Sequence, residues 1–451
     1  MRLAIADFKR ETRFNLPTQL PHLSRQTDRR RFVFESILSG CTSWMSACQR
    51  PAPRRDRPVL TMICGEEFMD FTQRALDASW RGHAIRVQTM PTLNSMTSQL
   101  SLYEDIFKRR LPRPDICEID VIWPAMLAGH LVDLGPYVGD GVKQFDPTLI
   151  ENYTIDGRLV ALPLYIDSGL LYYREDLLRE YGFTAAPETW TELEQMARRI
   201  QAGERRKGKN NFWGYIWQGS CGECLTCNGL EWQASEGGGS ILDANRRPQV
   251  RNERLQYAIE RARGWVGTLS PPGIVEYDED DCQSLWLAGN AAFMRNWVYC
   301  YGLTRSAASP VRDRFGVALL PAGSAGRART LGGVAMAVSK YSRYPEEAAA
   351  VACYLTSESA ERERALATRV VPARPALYRD PAVLSQTPFS GALSSHVTEG
   401  LVARPSRAAG VNYDAVSRAY AGSIHSALTR ECSVEAALAQ LEGELIRITR
   451  H

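Results

Sequence analysis

Apolar and polar positions along the chain fall into blocks whose period switches between that of a strand and that of a helix. Val59 to Cys64 is a short apolar run followed by the polar Gly65, Glu66 and Glu67, and an amphipathic pattern then covers 68–79. A second apolar run at 84–90, helical spacing at 96–109 and a third run at 115–123 continue the series. Strand, helix, strand, helix, strand predicts an α/β fold with a mostly parallel sheet. It puts Glu67, Asp120 and Trp123 at strand ends, where open α/β sheets bind their ligands.

The stretch 153–174 joins two such regions. A tight turn at Asp156-Gly157 leads into apolar runs broken by Pro163, and Tyr165, Asp167, Tyr172, Tyr173 and Arg174 then sit among residues that pattern as buried. Such a stretch fits a cleft wall, or core strands with ordinary surface breaks. Further strands are predicted at 212–217, 291–297, 315–320 and 330–338. Helices are predicted at 189–201, 252–268, 281–289, 345–356, 359–368, 413–428 and 433–449, the first opened by Thr189 and Glu192 with Trp190 as a packing residue. Gln218 to Leu230 reads as a loop, and Glu231 to Glu236 as the end of a helix stopped by three glycines. Two α/β lobes joined by more than one crossing strand result, 59–164 with 335–370 and 165–334 with 371–451, and a cleft between them able to close by hinge motion.

Composition changes this picture mainly at the amino terminus. The chain has 451 residues, 44% hydrophobic and 23% charged, the balance of a folded protein. The net charge of +3 owes much to arginines 25, 29, 30, 31, 50, 54, 55 and 57, so it establishes no nucleic-acid surface and no such partner is expected. Arg29-Arg30-Arg31, an apolar segment interrupted by Glu35, and small residues before Cys41 and Cys48 follow the order of an export and lipidation leader over 1–48. The basic, Pro-rich 49–58 would be its tether. No later run approaches the roughly 20 apolar residues that span a bilayer. Of eleven cysteines, Cys221, Cys224 and Cys227 crowd together; some would pair in an oxidising compartment, with connectivity open. A zinc reading lacks a second such motif and a nearby histidine, and no metal or cofactor is expected.

Metalloprotease, phosphate-loop, dinucleotide and nucleophile-elbow motifs are absent from the sequence, and His83 and His130 read as surface or packing residues. A pair of carboxylates could serve glycoside hydrolysis, but Asp120 and Asp167 suit ionised acceptors for sugar hydroxyls better. Tyr165, Trp232 and Trp297 would cover apolar sugar faces, with Glu67, Asp120, Asp167, Glu236, Arg374 and Arg404 on the hydroxyl edge. Gly332 and Gly333 would let backbone N–H groups approach a ligand. The same arginines allow a polyol or glycerol-phosphate ligand instead.

Gly157 to Leu178, Pro187-Glu-Thr-Trp190, Trp217 to Trp232, Ala288 to Trp297, Leu331 to Gly333 and Val371 to Arg374 resemble, in order, the family 1 extracellular solute-binding proteins of ABC sugar importers. The trehalose- and maltose-binding branch is the nearest in pattern. The resemblance implies a periplasmic-binding-protein type II fold, a cleft without catalysis, an extracytoplasmic and lipid-tethered monomer, and a membrane permease as partner. It assigns the cleft to Glu67, Asp120, Asp167, Trp232, Glu236, Trp297, Gly333, Arg374 and Arg404. Two departures stand out: Val334 replaces a tryptophan often found after the glycine pair, and Cys221-Gly-Glu-Cys224 replaces an aromatic-Glu-Gly segment, at Glu223.

Overall fold

The computed structural model describes residues 59–79, 86–92, 96–387 and 400–450. The leader with Cys41 and Cys48, the tether and His83 lie outside them. Twelve strands are described: β1 (Val59–Cys64), β2 (Arg86–Pro91), β3 (Ile116–Asp120), β4 (Thr154–Ile155), β5 (Arg158–Leu159), β6 (Leu162–Ser168), β7 (Leu170–Arg174), β8 (Trp213–Ile216), β9 (Ala291–Asn296), β10 (Phe315–Ala318), β11 (Arg329–Val338) and β12 (Leu401–Val402). They form two main sheets, as the alternation of periods predicts.

The first sheet runs β12, β11, β3, β1, β2, and β6 also pairs with β11. β1 lies parallel to β2 and β3. Its residues from Leu60 onward are buried on both faces, which is why β1 reads as an unbroken apolar run rather than an alternation. β11 enters antiparallel to both β3 and β6, and all ten of its residues are buried. The second sheet runs β10, β7, β9, β8. Only Gly169 separates β6 from β7, so the chain crosses from one sheet to the other in a single residue. It returns between β10 and β11. β6 and β11 carry 165–168 and 329–334 in the first sheet.

The expected turn appears as the β4–β5 hairpin, with Asp156 and Gly157 both at positive φ. The expected loop at 218–230 does not. A helix, Glu223–Ser235, runs through it and is buried on every face from Leu225 to Gln233. A helix enclosed on all sides carries no amphipathic stripe, and its polar Thr226, Asn228, Glu231 and Gln233 disguise it further. Those groups are matched individually. Thr226 Oγ1 bonds Ser417 at 2.8 Å, and Gln233 Oε1 accepts from Tyr420 Oη at 2.9 Å, which fastens this helix to the C-terminal helix Tyr413–Leu428. The nine described cysteines are all free thiols, so the expected pairing is not seen among them.

Trp190 packs as its position predicts, 2% exposed, with its indole N–H donating to Ser235 Oγ at 3.1 Å. Tyr172 and Arg174 belong to the second sheet's support: Tyr172 is fully buried, and Arg174 forks onto Asp176 at 2.6 and 2.8 Å.

Candidate functional site

The sheets meet along the first half of β11. Gly332 stands opposite Asp167, Gly333 opposite Ile166, and Val334 opposite both Tyr165 and Asp120, with a bulge just after Val334. Register alone therefore gathers Asp120, Tyr165, Asp167 and the two glycines at one edge of the sheet.

The glycines are required by close approach. A Cβ on Gly332 would sit 2.8 Å from the Trp297 ring and 3.3 Å from Asp167 Cβ, so the indole lies directly over this strand. Gly333 has φ +116°, and a Cβ there would meet the Tyr165 carbonyl oxygen at 2.4 Å. Gly333→Ala should cost about 2 kcal/mol through strain in the left-handed region. Chemical denaturation would show it as a lower midpoint with an unchanged slope.

Asp167, 9% exposed, accepts the amide hydrogens of Ser168 and Val298 on Oδ1, each at 2.7 Å. Its Oδ2 takes no hydrogen bond from a described residue. Burial outweighs the two amides and pushes the carboxyl up to about 7. Asp120 closes β3. Its Oδ1 accepts the Ile122 amide at 3.0 Å and faces Arg404 at 3.6 Å, and burial raises its carboxyl against that cation.

Trp297 is half-buried. Its indole N–H donates to Glu279 at 3.0 Å, and the Arg295 guanidinium sits 4.2 Å from its ring. Behind it lies an ion pair with almost no exposure. Arg295 forks onto Glu231 at 2.6 and 3.0 Å, with side-chain exposures of 0% and 1%. Gln218 and the Thr330 amide complete the set at 3.3 and 3.0 Å. Gly169 fits beneath it only because it lacks a side chain, since a Cβ there would come within 2.2 Å of Glu231 Oε1. Glu279, Glu231, Arg295 and Gly169 went unrecognised as site residues because sequence shows no link between positions so far apart.

Arg404 spans the two regions. It donates to Glu223 Oε1 at 2.8 Å and to the Leu331 carbonyl at 3.2 Å, while facing Asp120. Glu223 is further held by Tyr413 and Ser417. The helix start at Glu223 thus belongs to the site's frame.

Other expected positions lie elsewhere. Trp232 is 2% exposed in a tryptophan core, edge-on to Trp217 at 5.0 Å and Trp265 at 5.7 Å. Glu236 is tied to Arg261 at 2.7 Å and to the Ser324 amide at 3.1 Å. Arg374 is buried over the Phe145 ring, paired with Glu361 at 3.2 Å and donating to the Thr356 carbonyl at 2.7 Å. Trp123 is buried edge-on to Tyr103. An aromatic or a charge near a strand end reads alike in sequence whether it faces a cleft or a core. Glu67 lies in the first turn of the helix Glu66–Ser79; its side chain is outside the described residues.

The chain is 38% identical to a probable ABC transporter-binding protein of Deinococcus radiodurans over 423 residues, 92% of this chain and 98% of that one. It is 25% identical to the maltodextrin-binding protein MdxE of Bacillus subtilis over 311 residues, 67% of this chain and 70% of that one. Among solved structures, maltose-bound MalE3 of T. maritima superposes with a TM-score of 0.78 at 33% identity, covering 86% of this chain and 99% of that one. The fold is accordingly the type II periplasmic sugar-binding architecture expected from sequence. Residues 109–362 match the family described as bacterial extracellular solute-binding protein, and this chain belongs to that family.

Proposed function

We propose that the edge formed by Asp120, Tyr165, Asp167, Trp297, Gly332 and Gly333 binds an α-linked disaccharide or small oligosaccharide, which the protein delivers to the permease of an ABC importer. The observation that carries this reading is Asp167 Oδ2, a carboxylate oxygen with no hydrogen bond from a described residue, beside an indole resting on a glycine strand. A sugar offers the matching pair of surfaces, a hydroxyl for the oxygen and an apolar face for the ring. Maltose in the T. maritima relative and the maltodextrin named for the B. subtilis relative support the substrate class. Phosphate recognition is less well supported, because the terminal nitrogens of Arg374 and Arg404 already serve protein acceptors.

Placement outside the cytoplasm follows from the family, and we read Cys48 or Cys41 as the lipid-bearing residue of a tethered receptor. No helix among the described residues is long and apolar enough to cross a membrane.

Calorimetry with maltose, trehalose, maltotriose, mannitol and a glycerophosphodiester tests the assignment. At least one α-linked sugar should saturate the protein at one site. Silence from all the sugars would end the carbohydrate reading, and binding of mannitol or the diester alone would replace it with a polyol or glycerol-phosphate receptor.

A further inference from the structure

The end of the first sheet opposite Asp120 carries a second charged surface. β1 begins there at Val59, β3 begins at Ile116 and β11 finishes at Val338, which pairs with Ile116. Asp115 stitches these ends together. Its amide donates to the Thr61 carbonyl at 2.9 Å, its carbonyl accepts from Ser339 at 3.0 Å, and its buried carboxylate takes Thr61 and Ser342. A stack of Phe107 on His130, ring centroids 5.4 Å apart, with Tyr341 alongside, supports the neighbouring loops. The Lys340 amide bonds the His130 carbonyl at 3.0 Å.

On this frame the end of the helix Met96–Lys108, the loop 109–113 and the loop 340–343 present Lys108, Arg109, Arg110, Arg113, Lys340 and Arg343, all exposed. The exposed acids nearby in sequence are Glu104, Asp105 and Glu346, and Asp105 pairs with Arg109 at 2.9 Å. Asp115 offers no compensation, being buried and engaged. Leu111, 40% exposed, projects an apolar side chain from the middle of the basic loop.

We propose that this edge docks on the anionic phospholipid headgroups of a bilayer. Clustered cations around an exposed apolar residue match a negatively charged surface with an apolar interior beneath it. The chain also enters the fold at this edge, through Val59, and Arg54, Arg55 and Arg57 precede it in sequence. Only the biological setting rests on the extracytoplasmic, tethered reading; the binding itself does not. Because β3 rises about 13 Å from Ile116 to Asp120, the basic edge and the ligand-binding residues lie at opposite ends of this strand and do not overlap.

The test uses the full chain with Cys41→Ser and Cys48→Ser, so that acylation does not hold it. It is sedimented with vesicles of phosphatidylglycerol and phosphatidylcholine in equal parts, or of phosphatidylcholine alone. The protein should bind the anionic vesicles at low salt, leave them at high salt and ignore the neutral ones. The triple variant Arg109→Glu, Arg110→Glu, Arg343→Glu should bind at least about tenfold more weakly. A matched triple on exposed or half-buried arginines of another face, Arg198→Glu, Arg206→Glu, Arg263→Glu, should bind like the parent. Equal binding of the first triple and the parent, equal loss in both triples, or equal binding to neutral vesicles would overturn the proposal. Sugar titrations on the same samples report the ligand site separately, so either reading can fail while the other stands.

Discussion

Glu231→Ala should lower the unfolding free energy by about 3–5 kcal/mol, the largest single effect expected in this fold. Arg295 would keep its charge with 0% exposure and lose both short bonds, while the Thr330 amide would lose its acceptor. Neither side chain reaches solvent, so water does not substitute. The loss follows from the orphaned cation rather than from the pair's intrinsic worth. Removing both charges in Glu231→Leu, Arg295→Met should therefore recover much of the stability, although each partner alone is damaging. Denaturant midpoints for the two singles and the double decide it. A double variant less stable than the Glu231 single would show that packing, not charge, is what the pair supplies.

The second large effect concerns Asp167. Its carboxyl is pushed from an ordinary 3.8 up to about 7 by burial, in spite of the amides of Val298 and Ser168. Between those values the folded chain keeps a proton that the unfolded chain has released. This group's contribution to stability is therefore full below the ordinary value and is lost as pH rises toward 7. Ligand affinity runs the other way, since the ionised form is the stronger acceptor for sugar hydroxyls. Calorimetry across this range should show affinity falling as the medium is acidified through 7. Asp167→Asn keeps the shape and the amide acceptor but cannot ionise. It should bind about 10- to 100-fold more weakly at alkaline pH, with the pH dependence flattened and the stability at alkaline pH maintained or improved. A variant with the parent's affinity and pH profile would remove Asp167 from the site.

Much of the first sheet was legible in the sequence because its central strands are short, apolar and separated by amphipathic helices of ordinary length. The helix Glu223–Ser235 was not, for its burial on all faces erased the period on which recognition depends. The same contrast runs through the site. Asp167, Gly332 and Gly333 stood out because polar or flexible residues inside apolar strands are conspicuous, and β-sheet register then brought them together. Trp232, Glu236 and Arg374 stand out as an aromatic and two charges of the kinds a sugar site uses, and the structure packs Trp232 among tryptophans and pairs Glu236 with Arg261 and Arg374 with Glu361. Glu279 and Glu231 drew no attention as ligand-site residues because their importance lies in what they hold, Trp297 and Arg295.

Gly169 gives the crossing a mechanical meaning. Any rotation of one sheet against the other has to twist the chain at or beside this residue, where Glu231 and Arg295 fill the space that a side chain would occupy. The pivot is thus seated in a bearing made of opposite charges. That bearing also touches the indole proposed to meet the ligand, with Arg295 4.2 Å from the Trp297 ring. Loosening it would be felt at once in the resistance of the joint and in the aim of the ring, so on the proposed function one buried guanidinium gears closure to ligand contact.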